Sequence, residues 1–205
     1  MAEAPLKLHV SAAVLGEDSQ IFRDAWKVRK EVFCDEQNVA EENEKDEDDK
    51  RSWHIVCYLD HADGTSEPVG TVRLVPPVTP EVKKLREAMP GYEGPAKRVN
   101  GTYCKVGRLC STRRKGGVGR LLVEAIIRFA EENRMEVGVR DKDGKPIPGT
   151  EAEWNGKFCA HAQIAARDFW ERVGFVVDEN MGMWIEEEIP HCGMWREARL
   201  SALCG

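Results

Sequence analysis

"VGRLCSTRRKGGVGRLLVEAI", residues 106–126, changes character twice along its length. It begins as an alternating apolar stretch that reads as a strand. It then passes through Arg113, Arg114, Lys115 and Arg120, interleaved with Gly116, Gly117 and Gly119. From Val118 onward the apolar residues Leu121, Leu122, Ala125, Ile126 and Phe129 recur at the i, i+3, i+4, i+7, i+8, i+11 positions of one helix stripe. A strand, a cationic glycine turn and a helix N-terminus are thus fused without a spacer. The first turn of a helix leaves backbone N–H groups unpaired and carries the positive end of the macrodipole. A turn of this composition suits an anion such as an extended polyphosphate, with glycines admitting close approach and arginine forks adding bidentate contacts.

Two familiar phosphate loops are excluded. A Walker A loop needs Gly-Lys-Ser/Thr, which does not occur here. A dinucleotide fingerprint needs a third glycine after Gly117-Val118-Gly119 and an acidic strand end about 20 residues on, and neither is present.

Working outward, "TYCKVGRLC" reads as the strand that enters the turn. Ahead of it, residues 76–101 are rich in proline and glycine and read as an insertion loop. "SWHIVCYLD" and "EPVGTVRLVPP" flank an Asp-Gly turn and predict an antiparallel hairpin. "LKLHVSAAV" predicts a first strand. "SQIFRDAWKVRKEVFCDEQ" predicts a helix with Phe22, Ala25, Arg29, Val32 and Phe33 on one stripe and Asp18 or Ser19 as its cap. After the central helix comes a second insertion loop near 138–156, then a strand "KFCAHAQ". A short helix follows on Ala166, Phe169, Trp170 and Val173, closed by Gly174, and "FVVDENMGMWI" and "HCGMWREA" read as strands. The order strand, helix, strands, then strand–helix–strand–helix–strands is mixed α/β (α+β) and not a doubly wound alternation.

A chain of 205 residues fits one domain over 1–205. The formal charge of −6 is concentrated in residues 35–50, whose nine acids and two lysines sum to −7 and read as a solvated loop. The only basic cluster is the glycine turn, so no nucleic-acid partner is expected. No run of about 18 apolar residues suggests a membrane span, and the N-terminus lacks the pattern of a signal peptide, so the expected address is cytoplasmic. The seven cysteines include no C-x-x-C pair; no metal is expected, and most are read as reduced core thiols.

The glycine turn resembles the signature of GCN5-related N-acetyltransferases (GNAT), [QR]-x-x-G-x-[GA], met here by Arg114, Gly117 and Gly119. "RKEVFCDEQ" near the N-terminus and "IEEEIPHCGMW" near the C-terminus are similar to the YjcF/ElaA-like branch. The resemblance implies a GNAT fold: a central, mostly antiparallel twisted sheet of six to seven strands flanked by about four helices. It also implies acetyl-CoA as the acyl donor. By the same resemblance Leu109 and Cys110 lie on a bulged strand facing the thioester, while Ser111, Arg114, Lys115, Gly116, Gly117, Val118, Gly119 and Arg120 hold pantetheine and pyrophosphate. Phe169 and Trp170 occupy the cofactor helix where many members carry Phe-Tyr. Indole does not donate as a phenol does, so the general acid falls to water, His161, Cys159 or His191. Glu36, at the end of the first helix, is the candidate for receiving or deprotonating the acceptor amine. The acceptor itself stays open between a small amine such as an amino sugar or polyamine and a protein lysine or N-terminus. A non-catalytic acyl-CoA sensor and a homodimer through the C-terminal strands also stay open.

Overall fold

The computed structural model describes residues 7–78, 102–141, 143–147 and 154–199. It divides into two compact units, Met1–Val75 with Gly107–Phe129, and Pro76–Val106 with Ala130–Gly205.

In the first unit the predicted opening strand is two short ones, β1 (Leu8–Val10) and β2 (Val14–Leu15), both antiparallel to β3 (Trp53–Asp60). β3 forms the expected hairpin with β4 (Ser66–Val75), its turn closed by Gly64 at φ +86°. Helix α1 (Gln20–Arg29) starts where Ser19 accepts the Phe22 N–H at 3.0 Å. The helix does not run on regularly to Gln37 as its periodicity predicts, because Lys30–Glu36 winds as a π-helix. The acidic run folds into a short helix α2 (Glu41–Glu44) and a 3₁₀ turn, Glu47–Arg51. Strand β5 (Cys104–Ser111) lies next to β4, giving the order β1-β3-β4-β5.

Helix α3 (Val118–Glu132) begins directly after the glycine turn. Its buried face is Val118, Leu122, Val123, Ile126, Ile127 and Ala130. The stripe is therefore rotated from the predicted one: Leu121 is exposed, while Val123 and Ile127 take core positions. Gly70 on β4 allows this approach. A Cβ there would stand 2.5 Å from Val118 Cγ1, 3.0 Å from Leu122 Cδ1 and 3.2 Å from the Cys110 carbonyl oxygen.

In the second unit β5 pairs in parallel with β6 (Lys157–Gln163) through Cys104↔Phe158 and Lys105↔Cys159. β6 matches the sequence reading residue for residue. A 3₁₀ turn leads into α4 (Arg167–Arg172), and Gly174 at φ +88° ends it as expected. β7 (Val176–Val177), β8 (Met183–Glu186) and β9 (Ile189–Glu197) complete the chain, with order β5-β6-β9-β7 and β8 pairing β9 antiparallel. The pairings of β1, β2 and β4 with β3, and of β6, β7 and β8 with β9, are antiparallel. This is the mixed, mainly antiparallel architecture read from sequence.

The first insertion lies outside the described residues from 79 to 101. In the second, Arg140 bridges Pro146, and its buried guanidinium donates to the carbonyls of Glu136 and Gly144. Among the described residues no helix is long and apolar enough to cross a membrane.

Candidate active site

The glycine turn has the backbone its composition predicts. Gly116 and Gly117 take φ +96° and +80°, a region side-chain-bearing residues enter only with strain. A Cβ placed at Gly117 would meet nothing within 4 Å, so the turn opens onto free space. Ser111 organises the approach to it: its hydroxyl lies 2.8 Å from the carbonyls of Val69 and Arg113 and accepts the Arg113 N–H at 3.1 Å. The Leu121 N–H then bonds the Gly117 carbonyl and starts α3. Arg113, Arg114, Lys115 and Arg120 are all exposed. Open glycine backbone, a helix N-terminus and four cations fit the pyrophosphate of a CoA thioester.

Upstream, β5 is interrupted. Arg108 has φ +49°, the left-handed region, and is the only non-glycine residue in the described strands with positive φ. One such residue inside a strand breaks the pleat and re-aims the residues after it, as a bulge does. Those residues are Leu109 and Cys110. The Cys110 side chain is buried against Val28 and Val32, with its thiol 3.9 Å from the Val28 carbonyl. Burial pushes that thiol well above its ordinary range, so it is no nucleophile at neutral pH.

Glu36 stands at the end of the π-helix, and its carboxylate pairs with Arg114 of the glycine turn. Sequence reading assigned these two residues to different ligands; the structure brings them together.

The acidic run is not the solvated loop that its charge suggests. Arg29, Arg73 and Arg108 alternate with Glu44, Asp49 and Asp46 in a closed ring of six ion pairs. Around the ring, Arg108 meets Glu44 at 3.1 Å, Glu44 meets Arg29 at 2.6 Å and Arg29 meets Asp49 at 2.8 Å. Asp49 meets Arg73 at 2.6 Å, Arg73 meets Asp46 at 2.6 Å and Asp46 returns to Arg108 at 3.0 Å. The Arg29 and Asp49 side chains are fully buried and that of Glu44 nearly so. Burial opposes the charged form of Asp49, but the guanidinium groups of Arg73 and Arg29 outweigh it and hold the carboxyl well below its usual range. For Glu44 burial wins, and its pKa is raised despite Arg108 and Arg29.

In the second unit, three neighbouring strands bring the two candidate histidines to one aromatic residue. Trp184 on β8 lies opposite His191 on β9, while His161 sits on β6. His161 packs edge-on to Trp184 at 5.0 Å, and Trp184 stacks on His191 at 6.4 Å. Glu186, which sequence reasoning passed over, joins them: it lies 3.0 Å from His161 Nδ1 and accepts the Trp184 indole N–H at 2.7 Å. The period of β8 was the available signal, since Trp184 and Glu186 share a face and exposed Met183 and Ile185 take the other. Burial, with Lys105 adding in the same sense, pushes His161 down to about 4. His161 is therefore neutral at pH 7, with Nδ1–H donated to Glu186 and Nε2 left as an acceptor. Such an imidazole carries no proton to give a leaving thiolate. His191 donates Nδ1–H to the Ile189 carbonyl at 2.8 Å.

Trp170 is buried, edge-on to Phe169 and Phe175, so its ring is part of the packing of the second unit. Tyr58 donates its hydroxyl to Asp24 at 3.0 Å, and burial raises its pKa, which removes it as an acid. Tyr92 lies outside the described residues.

Residues 28–124 match the Acetyltransferase (GNAT) domain family. Over that segment, just under half of its length, the chain is similar to the GNAT superfamily. YjcF of Bacillus subtilis (strain 168), described as an uncharacterized N-acetyltransferase, is 28% identical over 188 residues, covering 90% of this chain and 99% of its relative. Among solved structures, an acyl-CoA N-acyltransferase of Pseudomonas aeruginosa superimposes with TM-score 0.57 at 22% identity, covering 93% of this chain and 99% of that one. ElaA of Escherichia coli does so with TM-score 0.56 at 19% identity, covering 94% and 99%. The chain thus resembles YjcF in sequence and shares its fold with ElaA and the Pseudomonas acyltransferase, which supports acetyltransferase activity in general.

Proposed function

We propose that this protein transfers the acetyl group of acetyl-CoA to the primary amine of a small molecule, by direct attack of the amine on the thioester. The observation that carries the reading is the unbroken succession of a left-handed interruption at Arg108, a positive-φ glycine pair and the start of α3, with four exposed cations around it. Acetyl-CoA supplies an activated acyl carbonyl. In this reading the backbone N–H groups of Leu109 and Cys110 polarise that carbonyl. Ser111, Gly116, Gly117, Val118 and Gly119 shape the turn that takes the pyrophosphate, and Arg114, Lys115 and Arg120 neutralise it. Arg114 leaves Glu36 to do so, freeing that carboxylate to bind the incoming ammonium group and take the proton whose loss leaves a nucleophilic amine. Phe169 and Trp170, packed within the second unit, are the proposed contacts of the cofactor helix. His161, neutral with Nε2 as an acceptor, and His191 are proposed to orient the amine, and water carries the second N–H proton of the tetrahedral adduct to the departing thiolate. Among the described residues the six cysteines are unbridged, which fits a cytoplasmic site of action.

A thiol-release assay with acetyl-CoA over amino sugars, polyamines, amino acids and lysine peptides tests this. Release that depends on a small amine supports the proposal. Release with peptides alone replaces it with protein acetylation, and tight acetyl-CoA binding without any release makes the protein a sensor.

A further inference from the structure

The six-member ion ring does more than neutralise an acidic segment, because one of its members is the residue that bends β5. Arg29 comes from α1, Glu44 from α2, Asp46 and Asp49 from the turn that follows, Arg73 from β4 and Arg108 from β5. At Arg108 the guanidinium is held on several sides: Nη2 donates to Asp46 Oδ2 at 3.0 Å and to the Glu44 carbonyl at 3.1 Å, and Nε lies 3.1 Å from Glu44 Oε1. Arg29, whose side chain is fully buried, donates to the same Glu44 carbonyl at 2.6 Å. The anchor that Arg108 grips is therefore itself immobilised. A left-handed arginine in a strand persists only where its surroundings over-determine it, and the ring supplies that constraint on the residue immediately before Leu109.

We propose that Arg108 is a positioning residue for acetyl transfer: the ring clamps its side chain, which holds the bulge and aims the backbone N–H groups of Leu109 and Cys110. The proposal rests on the acetyl-transfer reading given above. It separates two properties of one strand. The glycine turn and its cations govern cofactor affinity, and Arg108 governs how well the bound thioester is presented. Losing the clamp lowers kcat while the KM for acetyl-CoA stays nearly constant. A displacement of about 1 Å at a reacting centre costs about 10²-fold in rate.

Arg108→Gly alone is a poor test, because it leaves Glu44 and Asp46 with an uncompensated negative charge. The informative variant is Arg108→Gly with Glu44→Gln. Glycine accepts the positive φ without strain, and the remaining Arg29, Arg73, Asp46 and Asp49 balance. Hydrogen exchange in the ligand-free protein is read at Leu109 and Cys110, beside thermal unfolding, acetyl-CoA calorimetry and steady-state kinetics. The expected result is a wild-type-like unfolding transition and acetyl-CoA affinity within about threefold, with kcat lowered about 10²-fold. Exchange at Leu109 and Cys110 rises about tenfold or more over the rest of the unit. Arg108→Lys, which keeps the charge and loses the fork, falls between. Wild-type exchange and kcat in the double variant overturn the proposal and reduce the ring to charge balance. A parallel loss of affinity and kcat also overturns it, since Arg108 would then serve the cofactor. If the wild-type protein releases no CoA with any amine, the acetyl-transfer reading fails on its own, and the exchange data still decide whether the ring holds the bulge.

Discussion

Gly70→Ala adds one methyl group to β4 and strikes the functional turn from behind. The new Cβ would lie 2.5 Å from Val118 Cγ1, where carbon pairs normally rest at about 3.5–4.0 Å. Val118 is 1% exposed and opens α3, so it has no free space to turn into. Leu122 Cδ1 at 3.0 Å and the Cys110 carbonyl oxygen at 3.2 Å block two other ways out. The helix start must therefore back away from β4 by about 1 Å, an overpacking that costs about 1–3 kcal/mol. At about 2–4 °C per kcal/mol for a chain of this size, the unfolding midpoint falls by roughly 4–8 °C for a cost of about 2 kcal/mol. Because Gly116 and Gly117 immediately precede Val118, acetyl-CoA affinity falls as well, by about tenfold if 1.4 kcal/mol of the strain is relieved by distorting the turn. Urea denaturation and calorimetry of the single variants, and of Gly70→Ala with Val118→Ala, complete a double-mutant cycle. Removing Cγ1 should recover about 1 kcal/mol or more of the combined loss. Strict additivity, or a Gly70→Ala protein as stable as wild type, would refute the close approach of β4 to α3.

Acid destabilises the fold. His54 is buried, with Nε2–H donated to the Asp49 carbonyl at 3.1 Å, and burial lowers its pKa to about 4. Between about pH 6.5 and 4 the unfolded chain binds a proton that the folded one refuses, so stability drops by about 1.4 kcal/mol per pH unit as pH falls; His54→Gln should flatten urea-derived stability over that window by about this slope. Glu36→Gln releases Arg114 and removes a carboxylate, so turnover should fall more than acetyl-CoA affinity, and kinetics equal to wild type would take Glu36 out of the acceptor's path. Gly117→Trp fills the open side of the turn, and calorimetry should find acetyl-CoA binding abolished in a folded protein; a dissociation constant like wild type's would place the cofactor elsewhere.

Local signals carried the elements of the site, and long-range ones carried its support. Glycine φ, strand alternation and helical period depend on near neighbours, which is why the turn at 116–117, the β3–β4 hairpin and β6 are where the sequence placed them. The rotation of the α3 stripe depends on Gly70, 48 positions before Val118. The π-helical end of the first helix has no sequence signature. The ion ring was hidden because a run of carboxylates looks the same whether its arginines are in solvent or arrive from three other elements. Two hints existed: Arg29 fell on the apolar stripe of its helix, and Arg73 stood between Val72 and Leu74 in a strand whose second half is buried throughout. An arginine at a core position requires a buried acid, and the nearest supply was the run itself.

That requirement also changes what the run offers to a substrate. A charge of −7 spread over residues 35–50 would attract cationic amines from a distance. Glu44, Asp46 and Asp49 are instead matched one for one by arginines of the ring. Glu41 pairs with Lys30, Asp48 with Arg51 and Glu36 with Arg114. The exposed pairs of Glu41 with Lys30 and Glu36 with Arg114 are screened and individually weak, yet together with the buried Arg51–Asp48 pair and the ring they cancel most of the field that the sequence implies. Preference for one amine over another must then come from short-range contacts. In the proposed reaction those contacts are the Glu36 carboxylate, once Arg114 has left it, together with His161 and His191, which lie on elements far in sequence from the acidic run. The acids nearest the bulge are thereby removed from substrate attraction and committed to holding β5 in shape, so the most charged segment of the chain acts as scaffold.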